Sequence, residues 1–400
     1  MTVLPVKKSV SNKLSIETPA YVFDESGIED RCQFLVQIGR EVGFQVLFAL
    51  KSFSIAEILH PIAKHVSGFA ASSVFEARLA KELEGHNPTI HLTSPGIRHE
   101  EIDMIAELCD FVSFNSLSQW SMYWERLRYS VSCGLRVNPE ISFVGDKRYN
   151  PSRKYSKLGV PASTLKQLVS QGARELRGLQ GIHIHNNSES RDLSQLVATI
   201  NVIDHWFAPL LSEIDWFNLG GGYLFSETMD FGELSETLAN LHSRYDLDIY
   251  IEPGVAIINE FGALHTTVLD IFDSGGEKIA VLDASVNHMP EVFEYQYEPD
   301  VDGEVENGKH RYILAGRTCL AGDIFGGYAF SEPLEIGSRI VIANAGAYTF
   351  VKAHMFNGIN LPTVYTLKRD GRLVIAKRFS YEDYVSRCGE RSNVRLRTGI

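Results

Sequence analysis

At 400 residues, 44% of them hydrophobic and 22% charged, the chain exceeds the size at which one apolar core keeps growing, so a large domain with a smaller companion is expected. The net charge of -12 and the lack of a Lys/Arg block argue against a nucleic-acid partner, and no stretch approaches the ~18 apolar residues of a membrane span. Cys32, Cys109, Cys133, Cys319 and Cys388 are scattered with no CxxC, which argues against a disulfide framework and a structural zinc site and fits a reducing cytoplasm. Residues 1–15 hold Lys7, Lys8 and Lys13 but no apolar core of signal-peptide length, so a soluble protein is expected.

Short apolar segments at 44–50, 66–71, 89–93, 111–115, 133–138, 181–185, 216–219 and 249–252 read as buried parallel strands. Amphipathic stretches at 73–83, 100–108, 118–128, 163–170, 193–207 and 231–244 lie between them. This alternation predicts an α/β fold, a (β/α)8 TIM-type barrel over 27–260, with an open doubly wound sheet as its competitor. After about residue 260 the texture changes to β-branched and aromatic runs at 264–272, 278–283, 310–314, 339–344, 363–369 and 373–378, without good helix candidates between them. Asp370-Gly371 between the last two favours a tight hairpin, and the acidic stretch 299–309 reads as an exposed loop. Residues 1–26 and 261–400 are therefore assigned to a C-terminal all-β domain.

The residues that carry chemistry fall at strand ends. Lys51 closes the apolar run 44–50, where a lone amine is a poor structural choice unless it is used. A desolvated lysine loses its charge readily, and only the neutral amine attacks an aldehyde carbon. The plain alternative is a surface lysine just past a buried strand. The sixth strand ends in His183-Ile184-His185-Asn186-Asn187-Ser188, and alternation puts His183 and His185 on one face. That pair admits three readings: satisfied core histidines, the start of a zinc site, or one ring, His185, stacked on a planar cofactor. The seventh strand runs into Gly220-Gly221-Gly222, which removes three consecutive Cβ atoms and lets backbone N–H groups crowd around an anion. Phosphate sites in this architecture often lie after a late barrel strand. The eighth strand ends in Glu252-Pro253-Gly254, either a simple turn or a carboxylate that accepts a hydrogen bond from a protonated pyridine nitrogen.

In the second domain, Cys319-Leu320-Ala321-Gly322-Asp323 sets a thiol and a carboxylate four residues apart, a pair suited to proton donation and to gripping a substrate amine. Gly346-Ala347-Tyr348 puts a phenol beside small residues, within reach of a phosphate oxygen. Free cysteine and tyrosine also serve as plain packing residues.

Together with Ala49-Leu50-Lys51-Ser52-Phe53, Phe114-Asn115-Ser116, Gly134-Leu135-Arg136-Val137-Asn138-Pro139, Lys157-Leu158-Gly159, Phe356-Asn357-Gly358 and Phe379-Ser380-Tyr381-Glu382-Asp383-Tyr384, these motifs make the chain resemble the fold-type III pyridoxal 5'-phosphate (PLP) decarboxylases. The resemblance runs from about residue 18 to residue 384, and it is greatest to the branch acting on carboxynorspermidine and carboxyspermidine. It implies that Lys51 carries the cofactor, His185 stacks on its ring and Glu252 holds the pyridinium, with Ser188, Gly221, Gly222 and Tyr348 at the phosphate. It places Asn186, Cys319 and Asp323 at the substrate, an amino-acid carboxylate with a cationic tail. Cys319 is then the proton donor and Asp323 the partner of a distal amine, both entering from the second subunit of a homodimer. Two positions depart from that branch: Ser188 stands for Cys, and Val255 for an acidic residue, so a carboxylate near the site is lost. The alternatives are a decarboxylase of another amino acid such as diaminopimelate, a racemase, against which Glu252 argues, and a metal-dependent hydrolase built on His183 and His185.

Overall fold

The computed structural model of the chain describes residues 16–83 and 87–389. Residues 1–15, read above as lacking a leader, and 390–400, assigned to the β domain, lie outside the described residues. The chain divides into two compact units, Ser26–Asn259 and the described residues of Met1–Glu25 with those of Glu260–Ile400.

In the first unit eight parallel strands form: Gln45–Ala49, Gly68–Ala71, Thr89–Ser94, Phe111–Phe114, Ser132–Asn138, Gly181–Ile184, Trp216–Asn218 and Asp248–Ile251. They pair in chain order and the last pairs with the first, so the sheet closes as the (β/α)8 barrel expected and the open-sheet alternative falls away. Helices Val74–Lys81 and Leu117–Leu127 start where serines supply the cap, Ser73 accepting from the Glu76 N–H and Ser116 from the Gln119 N–H. The short strand Val160–Pro161, not anticipated from sequence, adds to the end of Ser132–Asn138.

Leu47, Ala70, Trp216 and Tyr250 pack with Phe111 inside the barrel, and His91 stacks on Phe111 with ring centroids 4.0 Å apart. Trp216 dictates its neighbours. A Cβ added at Gly134 or Gly181 would lie 2.4 Å or 2.0 Å from the indole. Gly134 pairs with Gly181 and Gly181 with Trp216, so two successive strands yield side-chain space to one large ring at the strand starts. The barrel is plugged there, and polar side chains gather at the opposite, C-terminal ends.

The second unit is a mixed sheet. Its strands run in the order Ile324–Phe330, His310–Ala315, Glu277–Leu282, Gly262–Ser274, Ala20–Asp24, Thr363–Leu367 and Leu373–Lys377, with Arg339–Ile342 also pairing on Gly262–Ser274. The hairpin at Asp370-Gly371 forms, with Gly371 at φ +83°. Three elements differ from the sequence expectation. Ile324–Phe330 is a strand, paired antiparallel with His310–Ala315, although Gly326-Gly327 interrupts its apolar run; Gly326, at φ +148°, lies where a Cβ would meet the Glu298 side chain. Pro290–Tyr295 and Tyr381–Cys388 are helices in a domain read as helix-poor. The first is started by Pro290, whose fixed φ suits a first turn, and the second by a capping box between Ser380 and Asp383.

Gly181→Ala is expected to overpack the Trp216 plug and destabilise the protein by ~1–3 kcal/mol, read as a lower urea midpoint. An unchanged midpoint would show that the indole has room to shift.

Candidate active site

Cross-strand register assembles the polar end of the barrel. Arg136 pairs with His183, His183 with Asn218, and Asn218 with Tyr250, two residues before Glu252. The Asn218 side chain then links the last two strands, its Nδ2 donating to Glu252 Oε1 at 2.8 Å while its Oδ1 accepts from the Gly220 N–H at 2.8 Å. The backbone adds a third tie, the Glu252 N–H donating to the Gly220 carbonyl at 2.8 Å.

This crowding explains the glycine triplet. A Cβ at Gly220, Gly221 or Gly222 would fall 2.2 Å from the Ile184 carbonyl oxygen, 2.3 Å from that of Glu252 and 2.1 Å from that of Asn187. Gly220 and Gly222 also adopt φ +70° and +91°. The Gly221 N–H donates to His185 Nδ1 at 3.1 Å, so the neutral imidazole carries its proton on Nε2. Ser188, exposed beyond His185, donates its backbone N–H to Asn187 Oδ1 at 2.9 Å.

The site polarises its two main titratable groups in opposite senses. Desolvation lowers the Lys51 pKa, and the Arg136 charge adds to this against the pull of Glu252 and Glu76. Lys51 is surrounded by the barrel end, yet the residue remains exposed to solvent. Burial opposes ionisation of Glu252, but His183, Lys51 and His185 outweigh it and hold the carboxyl well below its usual range. Desolvation lowers His185 well below its ordinary value, with Lys51 and Arg136 adding to the effect. Burial brings Arg136 itself down to about 10.

Arg136 and Asn218 were not singled out from sequence. Arg136 was legible as a lone cation inside a buried strand, and Asn218 as an inward position two residues before the glycines. Asn186, expected at the substrate, is instead buried with its Nδ2 donating to Thr199 Oγ1 at 2.7 Å and to the Ile141 carbonyl at 3.4 Å. It secures the strand end against the following helix. Val255 is half-buried at the start of the short helix Val255–Ile258.

In the second unit Asp323 is engaged by its own chain. Its carboxylate is 3% exposed and accepts from Ser285 Oγ (3.0 Å), Val286 N–H (2.8 Å), Thr318 N–H (2.9 Å) and Thr318 Oγ1 (2.5 Å). These four in-chain donors make it a fixed point of the loop. Cys319, on the same loop, is exposed, and its N–H is held by Asn357 Oδ1 at 2.7 Å. Tyr348 is half-buried at φ +54°, in a turn that closes on Gly262, where an added Cβ would lie 2.5 Å from Gly346 Cα.

One end of the barrel thus gathers an amine held toward its neutral form, a buried anionic carboxylate, an oriented imidazole and a run of backbone without Cβ atoms. Residues 28–263 match the family described as the pyridoxal-dependent decarboxylase, pyridoxal binding domain. The chain is 35% identical over 381 residues to carboxyaminopropylagmatine decarboxylase of Synechocystis sp., covering 94% of this chain and 96% of that one. It is 33% identical over 384 residues to carboxynorspermidine/carboxyspermidine decarboxylase of Campylobacter jejuni, covering 92% and 98%. The crystal structure of carboxynorspermidine decarboxylase from Campylobacter jejuni, complexed with norspermidine, superposes with a TM-score of 0.84 at 32% identity, over 93% of this chain and 100% of that one. The protein belongs to the pyridoxal-dependent decarboxylases. It is a lyase that uses PLP, and the ligand atoms of His183, His185 and Glu252 lie within 4.8 Å of one another at the end of its barrel.

Because the Lys51 pKa is lowered, its neutral fraction appears at lower pH than that of surface lysines. In PLP-stripped protein, amine acylation followed by mass spectrometry is expected to label Lys51 half-maximally at a lower pH than the other lysines. Coincident profiles would show that the barrel end does not desolvate it.

Proposed function

We propose that the protein removes the α-carboxylate of a carboxylated polyamine, with carboxynorspermidine and carboxyspermidine as leading substrates. One contrast carries this reading: relatives named for carboxylated polyamines are 33–35% identical to the chain, whereas diaminopimelate decarboxylases match at 23–24%. Carboxyaminopropylagmatine belongs in the same test, since its name describes the same head group on a different cationic tail.

In this proposal Lys51 is the covalent anchor and yields its place to the α-amine of the substrate. When bound, PLP supplies the sink for the electron pair left as the bond to CO2 breaks. Glu252, ionised and clamped by Asn218, holds the proton on the pyridine nitrogen. His185, its Nδ1 engaged by Gly221, presents a fixed flat ring to the cofactor. Gly221, Gly222, Ser188 and Tyr348 receive the phosphate, the glycines because no side chain shields their N–H groups. Cys319 delivers the proton to the Cα after CO2 has left, with Lys51 as the alternative donor. Asp323 acts only through the loop that carries Cys319.

The working unit in this proposal is a homodimer in which Cys319 enters the site of the partner subunit. The exposure of Cys319 favours that arrangement. A cytoplasmic location accords with five free cysteines, and among the described residues no helix is long and apolar enough to cross a membrane.

CO2 release is to be measured with carboxynorspermidine, carboxyspermidine, carboxyaminopropylagmatine and diaminopimelate. Turnover of a carboxypolyamine in preference to diaminopimelate is expected, and the reverse preference would overturn the substrate assignment. Cys319→Ala is expected to lower kcat by roughly 10²–10⁴-fold, the range for loss of a positioned acid. Lys51→Ala is expected to abolish turnover together with the visible absorbance of the bound cofactor. Mixing the two inactive variants should restore part of the activity, because one site of a mixed dimer is intact. No recovery would show that each subunit completes its own site.

A further inference from the structure

His183 is 1% exposed and neither of its ring nitrogens has a hydrogen-bond partner. An unmet buried polar group costs about 1–3 kcal/mol, so an imidazole here needs a reason that packing does not supply. Its backbone is fixed on both sides, paired with Arg136 on one neighbouring strand and Asn218 on the other. Its Nε2 lies 3.6 Å from Glu252 Oε2, just outside hydrogen-bond range. The other oxygen, Oε1, is already held by Asn218 at 2.8 Å. The carboxylate thus has one oxygen clamped and the other facing an uncommitted imidazole.

We propose that His183 is a positioning residue that steadies the free oxygen of Glu252 and keeps that carboxylate ionised, a role that rests on the pairing of Glu252 with the pyridine nitrogen proposed above. The charged and titratable groups around the pair are Lys51 after the first strand, His91 on the third, Arg136 on the fifth and His185 beyond the sixth. Burial holds the His183 pKa down, Glu252 pulls it up, and the Arg136 and Lys51 charges push it down again. Net lowering leaves a neutral ring, whose N–H donor capacity stabilises the carboxylate without a second positive charge beside the pyridinium. Without that donor, burial draws the Glu252 carboxyl toward its neutral form, and its hold on the ring-nitrogen proton weakens.

The test uses holoenzyme loaded with PLP labelled with ¹⁵N in the ring. The ¹⁵N chemical shift reports protonation of that nitrogen, and kcat and KM are measured in parallel. His183→Leu is expected to move the shift toward the unprotonated value and to lower kcat by roughly 10- to 100-fold, the scale of one lost buried hydrogen bond to a charged group, with KM nearly constant. His183→Gln, whose amide can donate to the same oxygen, is expected to recover most of the shift and most of kcat. If His183→Leu does not fold, His183→Phe takes its place. An apolar variant with the wild-type shift and kcat overturns the proposal, as does a Gln variant no better than the apolar one. Glu252→Gln is the control: a wild-type shift there overturns the role given to Glu252 and the His183 proposal with it.

Discussion

A negative charge buried at the end of a barrel is the constraint around which the first unit is built. Glu252 follows the eighth strand, and desolvation alone would favour its neutral acid. It stays ionised because His183, Lys51 and His185 outweigh that burial, and Asn218 adds a 2.8 Å hydrogen bond. These groups project from several strands, so only a closed sheet brings them to one point. The glycine triplet belongs to the same arrangement. Three neighbouring carbonyls occupy the space that its side chains would need.

The opposite end of the barrel supports this polar cluster from below. Trp216 fills the lumen over Gly134 and Gly181, and the Phe111 and His91 rings stack beside it. Charge above and packed aromatic rings below keep bulk water from reaching the carboxylate through the lumen. A desolvated amine and an ionised carboxylate sharing a site have divergent pKa values, the usual mark of groups with separate chemical tasks.

In the second unit, a buried carboxylate does a different kind of work. Asp323 gathers two backbone N–H groups and two hydroxyls and so fixes the loop on which Cys319 is displayed. Gly316 makes this possible, since a Cβ there would lie 2.1 Å from Asp323 Oδ1. Asn357, at φ +56°, holds the other side of the loop through the Cys319 N–H. The exposed thiol is therefore presented by a loop fixed on both sides.

The eight strands were legible because buried parallel strands are apolar on both faces and the helices between them have their own period. Lys51, His185, the glycines and Glu252 were legible because each breaks an apolar run at its end. The helix Tyr381–Cys388 was missed since its start lies in a capping box rather than an apolar pattern, and the strand Ile324–Phe330 since its glycines answer to Glu298, a residue far off in sequence. Tertiary structure alone decided whether a polar side chain is free or already satisfied. Asp323 looked available and accepts four hydrogen bonds, Asn186 looked like a substrate contact and donates to Thr199, and His183 keeps both ring nitrogens without a hydrogen-bond partner. Sequence determines which groups a chain offers, whereas hydrogen-bond partners distant along the chain determine which of them remain available for chemistry.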